Sequence, residues 1–339
     1  GLHRAEQHQR RVERQCRERR RPSDAGQAAK LPLLMRAEKA GYAVSPHVAQ
    51  VSASLADSAK KITIANSEGL FISDERTRTR FSVSVTAENS GGERFVAGES
   101  PGALMGFEFF EKLDIESFTR TAAERAVRML SAGYIEGKKM PIILGNGFGG
   151  VIFHEACGHG LEADLVAKGA SVFANRIGEQ VASPLVTLVD DGTMGGEWGC
   201  FAIDDEGRAA QRNVLIQDGI LVDYMWDGLR ARKEGRASSG NGRRQSYQHL
   251  PMVRMTNTYL LGGEGDKDSI VADTESGVYI AHLGGGQVNT ATGDFVFGMT
   301  EAYLIENGEI TEPLREGNLI GNGPEVLLNI DAVADDFAM

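Results

Sequence analysis

The sequence predicts an α+β fold, with antiparallel β-rich domains around a helical segment that carries His154-Glu155-Ala156-Cys157-Gly158-His159. Three observations lead there. Strand-like alternation with hairpin turns occupies the chain before residue 100 and again after residue 180. Helical periodicity gathers between them, around residues 114–175. The repeated βαβ units of a parallel sheet do not occur.

The first 21 residues hold eight arginines against a whole-chain net charge of -11. Blocks of like charge are ordinarily unstructured tails, so residues 1–30 are expected to be a disordered or artefactual Arg-rich extension. The competing reading, an arm for nucleic acid or an acidic partner, has the acidic balance of the rest against it. A helix follows over residues 24–41, weakened by Pro32 and ended by Gly41. From Val51 the apolar residues step by two: Val51, Ala53 and Leu55, then Ile62 and Ile64, then Leu70 and Ile72. Residues 79–87 alternate cleanly and residues 95–97 add a short strand. Turns at 66–69 and 89–92 separate these runs, giving an antiparallel meander with one face buried. Residues 114–130 have acidic residues in the first turn, an apolar stripe through Phe118, Ala122, Ala126 and Met129, and Gly133 beyond the end. Residues 31–135 therefore read as a partial N-terminal α+β domain.

A strand at 140–144 leads into a glycine-rich turn and then the helix with the His-Glu motif. Further strands are expected at 185–189, 214–216, 221–224, 278–281, 295–297 and 302–305. The turn Gly145-Asn146-Gly147-Phe148-Gly149-Gly150 matches a dinucleotide-binding pattern. Its surroundings are hairpin-rich, so the glycines are read instead as allowing close backbone approach.

Composition narrows the class. Apolar residues at 41% and charged residues at 24% suit a globular chain. The acidic balance opposes a nucleic-acid partner. No run approaches the ~20 apolar residues a membrane-crossing helix needs, and the Arg-rich start lacks a secretory pattern. Three cysteines, Cys16, Cys157 and Cys200, make no disulfide framework, so a reducing, cytoplasmic location is expected.

Two imidazoles and a carboxylate in six residues are what a catalytic zinc site needs. His154 and His159 would bind Zn2+, and Glu155, beside a ligand but free of the metal, would be the general base. The spacing is unusual. Five residues apart, the two histidines point about 140° from each other on a regular helix. One extra residue, as a π-bulge, restores a common face, so an irregular turn is expected at residues 156–159, eased by Gly158. The bland alternative is two histidines close by chance. For a third ligand Cys157, Cys200, His249, His282 and several carboxylates are available, and no motif singles one out.

Several further segments accompany the motif: Val189-Asp190-Asp191-Gly192-Thr193-Met194, Ile203-Asp204-Asp205-Glu206-Gly207, Gly240-Asn241-Gly242-Arg243-Arg244, Pro251-Met252-Val253-Arg254-Met255-Thr256-Asn257-Thr258, Gly284-Gly285-Gly286-Gln287-Val288 and Glu301-Ala302-Tyr303-Leu304-Ile305-Glu306-Asn307-Gly308. With them the chain, from about Ser45 onward, resembles the TldD/PmbA family, and its intact HExxxH resembles the TldD subunit. The resemblance implies a zinc peptidase that works as a heterodimer with a TldE/PmbA-like partner on unfolded or extended peptides. It matches His154 and His159 to the metal ligands and Glu155 to the base. Residues 136–339 then read as the C-terminal β-rich metallopeptidase domain. The family's third ligand is a cysteine in a Gly-rich segment after the residue 301–308 region. The chain is expected to stop before it and so to be truncated at both ends, with activity weakened or lost. The alternative is a non-catalytic regulatory or binding subunit. Arg254 and Asn257 either touch substrate or hold a buried polar turn, with the turn preferred. Asp204, Asp205 and Glu206 are read as a solvated turn before Gly207, with extra metal ligation as the rival.

Overall fold

The computed structural model describes Arg10–Arg11 and residues 20–338, apart from the side chains of Arg10, Arg11 and Phe148. Most of the expected Arg-rich extension lies outside the described residues. Within its span Arg10–Arg11 pair with Ile72 and Ser73, Pro22–Asp24 form a 3-10 turn, and the helix Gln27–Tyr42 starts. Pro32 is accommodated within that helix. Gly41 lies in its last turn, one residue before its end, where a side chain would strike Val51.

The expected meander is one long hairpin with additions. Val48–Ala65 and Phe71–Glu88 pair antiparallel along their whole length, from Val48 opposite Ala87 to Ala65 opposite Phe71. The sequence suggested separate short strands because residues 56–59 are exposed on both faces and break the alternation. The ladder of backbone hydrogen bonds carries the strand through. Arg94–Glu99 pairs with the inner strand. Helices Gln27–Tyr42 and Ile115–Met129 cover one face, over a core that includes Phe81, Val83, Val85, Phe110, Ile115 and Ala126.

Among the described residues the second half holds a two-stranded pair, Gly242–Arg243 with Met252–Val253, and two larger sheets. In one, Ser276–Val288 lies between Ile142–Leu144, parallel to it, and Asp294–Glu306, antiparallel. The latter pairs onward with Glu309–Leu314 and Asn318–Asn322. In the other, Thr258–Leu260, Leu188–Asp191, Arg212–Gln217 and Ile220–Leu221 follow in antiparallel order. The expected strand at 221–224 is cut short: Tyr224 turns away to give its hydroxyl hydrogen to the Phe173 carbonyl at 2.6 Å. Three short helices lie beyond the expected helical region: Gly228–Lys233, Lys267–Ala272 and Gly323–Leu328. Each is started by a side-chain cap, from Asp227, Asp266 and Asn322, which accepts from the backbone N–H three residues on. Among the described residues, no helix is long and apolar enough to cross a membrane.

The halves are joined by buried ion pairs. Arg125 on the helix Ile115–Met129 meets Glu99 at 2.7 Å and Glu301 of the distant sheet. Arg76 meets Asp74 and Asp205, each at 3.0 Å. The motif segment sits between two apolar clusters. Ile152 and Ala156 pack with Val278, Ile280 and Phe297, while Cys157 and Leu161 pack with Phe173, Met225 and Met255.

Candidate metal centre

The strand Ile142–Leu144 delivers the chain to a turn that only glycine fits well. Gly147 takes a left-handed φ of 65°, and Gly145 passes so close to Tyr279 that a side chain would clash with its hydroxyl. The glycine pattern thus serves close packing against a sheet that is otherwise antiparallel. A 3-10 turn, Gly147–Gly150, then runs into one α-turn, Val151–Phe153, and a π-turn, His154–Gly158. The backbone N–H of His159 donates to the carbonyl of His154, five residues back. The expected distortion is present, and it begins at His154 rather than Ala156.

The wide turn is packed tightly at Gly158. At Gly158 a side chain would fall on the sulfur of Met255, so the backbone lies directly against that residue. The added residue puts both histidines on one face. Their ring centroids are 4.9 Å apart with planes at 88°, and ligand atoms of His154, Glu155 and His159 all lie within 4.8 Å of one another. Among the described residues no other His, Cys, Asp or Glu cluster could hold a metal.

The two imidazoles differ in protonation. Burial, with a smaller contribution from His159, pushes His154 down to about 4, so its ring is neutral near pH 7. The hydrogen bond to Glu162 raises His159, against the opposing effect of burial. Its Nδ1 lies 3.3 Å from Glu162 Oε1, and its Nε2 lies 3.7 Å from Glu155 Oε2. His154 is thus ready as a nitrogen donor, whereas His159 has to give up a proton that Glu162 favours before it can join it on zinc, whose usual donors are nitrogen and sulfur.

The other candidate ligands fall elsewhere. Cys157 is fully buried and gives its thiol hydrogen to the Phe153 carbonyl at 2.9 Å. Burial pushes that thiol up to about 12, so it stays protonated. Cys200 is buried away from the group, His249 pairs with Ser246 in an exposed loop, and His282 lies beside Thr300. Asn257 holds a buried turn, accepting from Gly199 N–H and donating to the Asp191 carbonyl. Asp204 and Asp205 are buried, which corrects the solvated turn expected there. Asp204 accepts from the backbone of Glu206, Arg208 and Gly242, and Asp205 pairs with Arg76.

Two residues of the site had no sequence signal strong enough to assign them. Glu162, three positions past His159, is the carboxylate on its second ring nitrogen. Arg254 donates to Glu162 Oε2 at 3.0 Å and does not simply brace a turn. A cavity of about 480 Å³ opens beside them, lined by Glu155, His159, Glu162 and Arg254 with Leu165, Met252 and Val288 among others. Along its wall runs the strand Ser276–Val288. Its end, at Gln287 and Val288, lines the cavity, and its ladder there runs to Val296 and Phe295.

Residues 20–130 match the family described as the PmbA/TldA metallopeptidase central domain, and residues 137–339 match the PmbA/TldA metallopeptidase C-terminal domain. The chain belongs to the PmbA/TldD metallopeptidase family. A relative from Haemophilus influenzae, named as a metalloprotease TldD homologue, is 46% identical over 90% of this chain and 64% of its own length. One from Buchnera aphidicola, also named as a TldD homologue, is 42% identical over 91% of this chain and 65% of its own. The chain therefore spans just under two thirds of those relatives. The PmbA/TldD fold is also that of TldE from Thermococcus kodakarensis. The likeness there has a TM-score of 0.79 at 20% identity, over 95% of this chain and 72% of that one. A Thermotoga maritima structure described as a candidate modulator of a DNA gyrase gives 0.83 at 23% identity, over 96% and 73%.

Proposed function

We propose that this chain carries the metal-binding part of a zinc-dependent peptidase that cleaves unfolded or extended peptides, with His154 and His159 as ligands and Glu155 as general base. One observation carries the reading: a π-turn that brings the two imidazoles and the carboxylate onto one face beside a cavity. The names of the relatives favour it over a non-catalytic role.

His154 and His159 would hold the ion, leaving positions for a further protein ligand and for solvent or substrate. When bound, zinc supplies Lewis acidity that polarises the scissile carbonyl and acidifies water. Glu155, 28% exposed beside His159 Nε2, takes a proton from the attacking water and passes it to the leaving amine. The end of the strand Ser276–Val288 lines the cavity at Gln287 and Val288, a strand beside which an extended peptide could lie, which suits selection by backbone shape rather than side chain. A TldE/PmbA-like subunit is the proposed partner, supported by family membership and the TldE likeness. The acidic balance speaks for peptide rather than nucleic acid, and a cytoplasmic, reducing location suits the free thiols of Cys157 and Cys200.

The test is hydrolysis of unstructured peptides with added zinc, with and without a TldE-type subunit, followed by mass spectrometry. Glu155→Ala is expected to slow cleavage about 10²- to 10⁴-fold. Equal cleavage by both proteins would remove Glu155 from the mechanism.

A further inference from the structure

The geometry points to Glu162 as a positioning residue for His159, clamped in turn by Arg254, which fixes the ring proton on Nδ1 and turns the Nε2 lone pair toward Glu155 and the ion. This inference rests on the zinc reading above and adds the residues that prepare one ligand.

Glu162 is placed where an ordinary role is missing. It occupies the N-cap position of the helix Ala163–Ala167, yet its side chain caps nothing. Its backbone is pinned instead: Ala163 N–H donates to the Met225 carbonyl and Met225 N–H to that of Leu161, at 3.0 and 2.9 Å. The side chain is 0% exposed, and both oxygens are used, one at His159 Nδ1 and one at Arg254 Nη1. Burying a carboxylate against a single cation that is itself 41% exposed is costly. Its contact with a ligand imidazole supplies a reason. A carboxylate on one ring nitrogen sets the tautomer and orientation of the other, which is how such outer partners tune metal-bound histidines. Arg254 is held by the same Nη1 to the Val253 carbonyl at 2.9 Å, so the clamp cannot swing freely.

Glu162→Gln gives a sharp contrast. With its oxygen drawn to Arg254, the amide presents N–H to His159 Nδ1. The ring must then carry its proton on Nε2, where the ion should sit. The same logic makes an Asp-to-Asn change in a serine protease triad select the wrong tautomer.

The experiment uses the 339-residue chain without metal, its histidines labelled with 15N, at alkaline pH where the ring is neutral. Zinc competition against a chromogenic chelator follows, for wild type, Glu162→Gln and Arg254→Met. Wild-type His159 is expected as the Nδ1–H tautomer and Glu162→Gln as the Nε2–H tautomer, with zinc affinity about 10- to 100-fold weaker. Arg254→Met, at the cavity rim, is expected to weaken zinc in the same direction by less. Should Glu162→Gln not fold, the wild-type tautomer and Arg254→Met still decide. A wild-type proton on Nε2, or unchanged affinity in the variants, overturns the positioning role. Failure of the wild type to bind zinc even when an added small thiol can fill the third position overturns the zinc reading instead, and the tautomer result stands apart from it.

Discussion

His154 and His159 meet edge to face, their ring centres 4.9 Å apart, although five residues separate them in the chain. A regular helix would turn them about 140° from each other. They are joined by a π-turn whose backbone at Gly158 lies against Met255.

Gly158→Ala is therefore expected to push Met255 from its buried seat or to undo the turn. Overpacking of this kind costs about 1–3 kcal/mol. Zinc titration and thermal melting should both register the change. A variant that melts and binds as the wild type does would detach the turn from that contact.

Cys157 lies between the two histidines in sequence but belongs to the core. With its thiol pushed up to about 12 by burial, it is expected to resist alkylation in the folded chain and to react once the chain is unfolded. Cys157→Ala should leave zinc affinity within about 3-fold, an order-of-magnitude allowance for loss of a buried thiol outside the ligand set. A large drop in affinity would make Cys157 a ligand after all.

Asp204 supplies the pH dependence. Burial raises its carboxyl to about 6, against backbone hydrogen bonds that pull it down. The folded value lies above the unfolded one. Its contribution to stability is then fully present below about pH 4 and is lost as pH rises through about 6. The whole swing is about 2–3 kcal/mol. Denaturant unfolding from pH 4 to 7 should show it as a difference between wild type and Asp204→Asn, the latter lacking that slope. Parallel profiles for the two proteins would contradict the assignment.

Arg76 joins the long hairpin to the second half of the molecule. Arg76→Met leaves Asp74 and Asp205 buried without their cation. The expected loss is about 3–5 kcal/mol, read by denaturant unfolding. A loss well under 1 kcal/mol would mean that solvent or Lys60, 3.5 Å from Asp205, replaces it.

The parts legible in the sequence were those whose signal is local. The α+β class, the hairpin turns and the need for a distorted turn at the histidines follow from alternation, glycine placement and helical angle. The three short helices also had local signals, in Asp227, Asp266 and Asn322, but six residues give no periodicity to support them. The continuity of the hairpin was hidden because residues 56–59 bury neither face. Glu162 and Arg254 were hidden for another reason. The pairing of Arg254 with Glu162 spans 92 positions, and the local step from His159 to Glu162, three residues, matches no ligand motif.

The seating of the motif between two apolar clusters has a consequence for how an ion is received. Ile152 and Ala156 are gripped on one flank, Cys157 and Leu161 on the other. The two rings are thus set during folding, before any ion arrives, and little freedom remains to be lost on capture. By linkage the reverse also holds: an ion that prefers this fixed pair of nitrogens tightens both clusters at once. Its arrival should be felt as resistance to unfolding far from the cavity itself.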